Sequence, residues 1–353
     1  MNKQLSILIC AGAFAALPGT ADAFNTHGAW AQPSTTMRAH RVSFPPGSAY
    51  RTALGTVVQR WNDNPSSFRF AQRYDDARAG LGNGQNEVWF SGDDSYDPAV
   101  CLWISDRESG DILEADVVFF NGESYTTSMQ KTQQVGYGGQ KRAFQTTAMH
   151  EYGHALGLLH EGDEYNIMGR DWTHLSLQSS TCRAYAGEDA GDGAVSLYGR
   201  HPQVQVEDLG VVHWRRTEAK RGYSIHELTR VFDSDGNLLP SEAFDGQRRY
   251  IVSPGQRVRP EFGYENNGET AQRPNNTFYI STNSTISSGD RAIGDFPLFL
   301  GRNDIFNHAR SVTIPADLIV GQTYYLGVYV DSDRRISERS AANNSAYHII
   351  RVE

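Results

Sequence analysis

The rhythm of apolar and polar residues changes along this chain, and the changes divide it. Leu5 to Leu17 is an almost continuous apolar run, preceded by Lys3 and followed by Ala21-Asp22-Ala23. A positive end, a short apolar middle and an A-x-A site are the pattern of a cleavable export leader over residues 1–23. The run is too short to span a bilayer comfortably, and Cys10 within it lacks the small-residue setting of a lipid anchor. Next, Tyr50, Leu54, Val57, Val58 and Trp61 recur at helical spacing, which predicts an amphipathic helix over Ala49–Asn62. Strands are predicted at Met37–Phe44, Phe68–Gln72 and Glu87–Phe90, and the Gly-rich, polar stretch 133–140 reads as a loop. Phe144, Ala148, Tyr152, Ala155 and Leu159 set a second helical stripe.

After Gly199 the helical period disappears. Short β-rich runs follow at Ser224–Phe232, Arg257–Tyr264, Thr277–Ser281, Thr323–Val330 and Ala346–Val352. Turn signals such as Asp235-Gly236-Asn237 and Pro254-Gly255 separate them, a spacing that fits a β-sandwich. The break falls at Arg200-His201-Pro202. The expected organisation is a leader over 1–23, an α+β domain over 24–200 and an all-β sandwich domain over 201–353. If the last unit folds separately, a chain ending near Gly199 is complete in itself. Residues 24–35 read either as a short propeptide or as a frayed terminus.

The second helical stripe also carries chemistry. His150 and His154 are four apart, so on a helix they share a face and can grip one ion, and Glu151 stands beside that face. Gly157 tolerates the left-handed backbone that ends a helix, after which His160 can return as a third ligand. Three neutral imidazoles with an open fourth position are the donor set of a catalytic zinc, and a neighbouring carboxylate can take a proton from the attacking water. The bland reading, a few core or surface histidines on an amphipathic helix, does not account for Gly157 and His160 at those offsets.

The run from His150 to His160 resembles the metzincin pattern H-E-x-x-H-x-x-G-x-x-H, with every fixed position matched. The resemblance implies an α+β zincin fold, one catalytic Zn2+ on His150, His154 and His160, and Glu151 as general base. It also implies a turn at Asn166-Ile167-Met168-Gly169, with Met168 as an apolar floor and not a ligand. Leu156-Gly157-Leu158, the short distance to Met168 and the run Glu188–Gly199 are similar to matrixins, and Ile112–Asn121 looks like the edge strand along the cleft of that family. Glu161 is more like astacins. Arg170 stands where astacins and serralysins carry a tyrosine, so no tyrosine ligand is expected, and no cysteine-switch segment is present. In the last third, Ser253–Val258, Tyr279–Asn283, Tyr325–Asp331, Ile336–Glu338 and Asn343-Asn344 resemble CARDB, an Ig-like module of exported bacterial proteins, best over 248–353. Asn266, Asn343 and Asn344 read as turn formers.

Composition refines this picture. The formal net charge of −9 argues against nucleic acid and anionic membrane surfaces as partners. Without the leader, Cys101 and Cys182 are the only cysteines. In an exported chain this favours one disulfide, with two separate buried thiols as the alternative. Matrixins use acidic loops for calcium or a second zinc, but Asp93, Asp94 and Asp97, and Asp106, Glu108 and Asp111, match no calcium loop and read as solvated. The sequence therefore predicts a secreted zinc-dependent endopeptidase acting on protein or peptide substrates. Its C-terminal domain is expected to bind a cell surface or a glycosylated or matrix partner. The alternative is an adhesin-like extracellular binding protein whose zinc domain is not catalytic, which would have no need of Glu151.

Overall fold

The structure is a computed structural model, and it describes residues 5–9, 24–130, 141–160, 167–169, 175–178, 181–213, 215, 228–302 and 304–353. The expected loop at 133–140 and the residues Glu161 and Arg170 lie outside the described residues.

The first unit is built on one six-stranded sheet. Its strands are β1 (Leu5–Ile9), β2 (Ser34–His40), β3 (Arg69–Asp76), β4 (Glu87–Ser91), β5 (Ala99–Asp106) and β6 (Ile112–Phe120), in the spatial order β1-β5-β6-β4-β2-β3. β3, β2, β4 and β6 run parallel, whereas β5 is antiparallel to β6 and β1 is antiparallel to β5. The short strands β7 (Tyr125–Thr126) and β8 (Arg142–Ala143) pair with each other before the second helix.

Helix α1 covers Ala49–Asn62, as its apolar spacing predicts; Ser48 caps it by accepting the Arg51 N–H at 3.2 Å. Strand β2 ends at His40 rather than at the expected Phe44, because the Phe44 N–H turns back to the His40 carbonyl at 2.9 Å. Helix α2 (Phe144–Leu156) packs against α1, β5 and β6. Helix α3 covers Glu188–Tyr198. One expectation is corrected: Ile112–Asn121 is not the edge strand. β6 is paired on both sides, and its nearly continuous buried run suits an interior strand; β5 lies outside it.

Between Met168 and α3 lie β9 (Leu175–Gln178) and β10 (Thr181–Ala184), an antiparallel pair. Beyond Gly199 every regular element among the described residues is a strand: β11 (Leu209–Val212), β12 (Val231–Asp233), β13 (Ser241–Phe244), β14 (Gln247–Val252), β15 (Arg257–Asn266), β16 (Asn275–Ser281), β17 (Arg291–Pro297), β18 (Ile305–Ala309), β19 (Val312–Thr313), β20 (Thr323–Tyr329) and β21 (Ser345–Val352). Two sheets result, one of β11, β15, β12, β18 and β19, the other in the order β13-β14-β21-β20-β16-β17. Leu209, Val211, Phe262, Phe278, Leu326 and Ile350 are among the residues buried together between them. Asn266, Asn343 and Asn344 are more than turn formers. All three are buried, and Asn344 Nδ2, for one, donates to Glu338 at 2.7 Å and to the Val330 carbonyl at 3.2 Å.

The second sheet is apolar on both faces. Tyr279, Tyr347 and Ile349 alternate with the inward residues of β16 and β21, and they join the apolar cluster of the first unit together with Val212 and Ile286. β9 runs against β21 and β11, and the Tyr185 hydroxyl donates to buried Glu265. The core of the first unit thus extends into the second, so a chain cut at Gly199 would lose part of its own packing.

Candidate metal centre

Helix α2 is buried almost all round and carries His150, Glu151 and His154 on adjacent positions of its last turns. It ends as its sequence requires. Gly157 has φ 117° and takes the left-handed conformation. The Gly157 N–H returns to the His154 carbonyl at 2.8 Å and the Leu158 N–H to the Gly153 carbonyl at 3.0 Å, a Schellman turn. Side chains also engage the carbonyls of the last turn. Trp103 Nε1 donates to His154 O at 2.8 Å, Trp30 Nε1 to Ala155 O at 2.9 Å, and the Tyr198 hydroxyl to Leu156 O at 2.5 Å. One turn earlier, Trp61 Nε1 donates to Met149 O at 2.9 Å. A helix whose closing carbonyls are all engaged holds its side chains in fixed directions.

The three expected histidines converge. The Nε2 atoms of His150 and His160 are 2.9 Å apart, those of His150 and His154 3.0 Å, and those of His154 and His160 3.2 Å. His150 Nδ1 lies 2.7 Å from the Ile167 carbonyl and His154 Nδ1 2.8 Å from the Leu158 carbonyl. A carbonyl only accepts, so both Nδ1 atoms carry the proton and both Nε2 atoms present a lone pair to the centre. Lone pairs facing one another at this range repel unless a cation lies between them. Four tetrahedral ligands at zinc–nitrogen distance would stand about 3.3 Å apart, close to what is seen. Burial, and then the neighbouring imidazoles, pushes His150 well below its ordinary pKa; burial and then His160 pushes His154 down to about 3. Both are therefore neutral, as metal ligands must be. The donor set fits zinc, and it is the sole such cluster among the described residues.

Glu151 is buried, and burial pushes its carboxyl up to about 8, against the Cys101 backbone N–H, which pulls it down. Its Oε2 has no hydrogen-bond partner among the described residues. An unsatisfied buried acceptor next to a tri-histidine cluster is poised to take a proton from a water. Met168 is buried against Gly153: a Cβ on Gly153 would overlap Met168 Sδ and lie 3.0 Å from Trp61 Cζ2. Of the two cysteines, Cys101 is fully buried in β5, while the side chain of Cys182 in β10 lies outside the described residues.

Several residues that build the site have no motif of their own. Trp30, Trp103 and Tyr198 read simply as aromatics, and only the rule that a buried indole N–H or phenol needs a partner hints at more. The segment Asn25–Trp30 is neither frayed nor detached. The His27 N–H donates to Gly157 O at 2.8 Å, the Leu159 N–H donates to Asn25 O at 2.8 Å, and Asn25 Nδ2 donates to His160 O at 3.2 Å.

Residues 45–199 match the family model of the matrixins, the M10 peptidases, a stretch that contains α1, the three histidines, Met168 and α3. The chain thus carries a matrixin-like domain. No curated protein matches the chain. Among solved structures it is similar to the CARDB domain of a Pyrococcus furiosus protein in complex with di-metal ions, at 16% identity over 29% of this chain and 79% of that one, with a TM-score of 0.23. A second is a domain of a putative cell surface protein from Methanosarcina acetivorans, at 15% identity over 29% of this chain and 82% of that one, with a TM-score of 0.22.

Proposed function

We propose that this chain, matrixin-like over residues 45–199, is a zinc endopeptidase in which His150, His154 and His160 hold the metal and Glu151 is the general base. One observation carries the reading: three imidazole Nε2 atoms meet beside a buried carboxylate with an unused oxygen. When bound there, zinc lowers the pKa of a water and polarises the scissile carbonyl. The residues of the chain do the rest. Glu151 takes a proton from the attacking water at Oε2 and later delivers it to the departing amide nitrogen. The carbonyls of Ile167 and Leu158 keep His150 and His154 in the ligating tautomer. An extended peptide would lie along β5, antiparallel to it as β1 is here, once residues 1–23 are removed.

The proposal includes export through that leader, with N-terminal sequencing of the processed chain expected to begin at Phe24. It also includes a Cys101–Cys182 disulfide, which non-reducing peptide mapping would recover or refute. The adhesin-like alternative has no observation of its own, since a structural metal site does not need Glu151. Casein hydrolysis separates the two readings. The full chain should cleave casein, stop on treatment with a zinc chelator and recover on adding zinc; no cleavage by the zinc-loaded chain would contradict the proposal.

A further inference from the structure

The third ligand differs from the other two. His150 and His154 stand on a helix with engaged carbonyls, whereas His160 lies on the chain that follows the Schellman turn. That chain is paired with the segment Asn25–Trp30. Thr26 and Leu158 form an antiparallel bridge. Around it, the Gly157 carbonyl accepts from His27 N at 2.8 Å, the Leu159 N–H donates to Asn25 O at 2.8 Å, and the His160 carbonyl accepts Asn25 Nδ2 at 3.2 Å. Trp30 adds its indole N–H to Ala155 O at 2.9 Å, and its backbone N–H donates to the Tyr198 hydroxyl at 3.1 Å. The contact is close: a Cβ on Gly157 would overlap the Gly28 carbonyl.

The segment is itself anchored to the sheet. The His27 ring stacks on Trp103 with centroids 4.7 Å apart and planes 16° apart, and its Nε2 lies 3.0 Å from Ser105 Oγ. The Ala29 carbonyl accepts the Ile112 N–H at 2.8 Å. Each end of this bridge is therefore fixed, one on β5 and β6, the other on the loop that carries His160.

We infer that Asn25–Trp30 is a positioning strap for His160, and that N-terminal trimming past Trp30 turns the metal centre off by releasing its third ligand. The strap touches no reacting atom. It acts by fixing the backbone from Ala155 to His160, which leaves little entropy to lose when the metal is bound. Leader removal after Ala23 leaves the strap whole, so the inference places a narrow limit on further processing.

The inference rests on the proposed zinc site, and its test keeps the two apart. Zinc release to a chromophoric chelator is timed for the full chain, for Asn25→Ala with Trp30→Phe, for His160→Ala, and for all three changes together. Wild-type chain that binds no zinc would sink the site itself. If the site stands, the strap variant should release zinc about ten-fold faster, the effect of one or two lost hydrogen bonds. In the His160→Ala background the same two changes should alter release by less than about two-fold, because the ligand through which they act is gone. Amide exchange at Leu159 should also speed up in the strap variant. Unchanged release, or an equal acceleration with and without His160, would overturn the strap; Asn25→Ala alone serves if Trp30→Phe fails to fold.

Discussion

Gly153 offers a test in which two ordinary rules oppose each other. It sits in the interior of α2, where exchanging glycine for alanine should stabilise by about 1 kcal/mol through backbone entropy. Here the added methyl would overlap Met168 Sδ and lie 3.0 Å from Trp61 Cζ2 and 3.1 Å from Met168 Cε. Both neighbours are packed: Met168 is 2% exposed, and Trp61 is fully buried with its indole N–H held by Met149 O at 2.9 Å. Overpacking of this kind costs about 1–3 kcal/mol. Gly153→Ala should therefore destabilise by roughly 1 kcal/mol net, lowering Tm by about 1–2 °C in a chain of this size. Met168→Ala alone should cost about 2–5 kcal/mol through the cavity it leaves. In the Met168→Ala background the sign should reverse, and Gly153→Ala should stabilise by about 1 kcal/mol, a coupling of about 2 kcal/mol. Urea unfolding of the full chain with chelator present reads all four proteins without zinc loading entering the balance. If Gly153→Ala stabilises equally in both backgrounds, Met168 does not pack against Gly153 as described.

Two further outcomes are expected. Burial and then Glu114 push Asp116 up to about 9 from an ordinary 3.8, so the folded chain holds a proton that the unfolded chain releases. That contribution is full below pH 3.8 and is lost as pH rises towards 9, so Asp116→Asn should flatten the fall in urea midpoint between pH 5 and 9; an unchanged slope would contradict it. The shared packing should make the two units melt together: calorimetry should show one transition, and Tyr347→Ser should lower it by an amount equivalent to about 3 kcal/mol, whereas a separate, unmoved transition for the unit that carries the three histidines would show that the units are independent.

Much of this was legible in the sequence because local rules fix it. The stripe from Tyr50 to Trp61 bounds α1 to the residue, since a helix shows its buried face every three or four positions. The spacing of His150, His154, Gly157 and His160 brings three ring nitrogens together, because each offset corresponds to one backbone device: a helical turn, a left-handed cap, a return. What the sequence hid depends on partners far along the chain. β6 reads as an edge strand by resemblance, yet its neighbours are set by sheet order, which no local pattern encodes. The outward face of β21 looks like ordinary alternation, and only the packing shows that Tyr347 and Ile349 meet the other unit. Trp30 finds Ala155 across a separation of 125 residues, so its role could not be read from neighbouring positions.

The most direct test of the central claim is zinc content measured together with peptide hydrolysis on the same preparation of Glu151→Ala. The geometry predicts about one zinc per chain, held by the three untouched histidines, with hydrolysis reduced by a factor on the order of 10³ or more, because the general base is gone. Zinc-loaded Glu151→Ala that hydrolyses peptides at the wild-type rate would contradict the account.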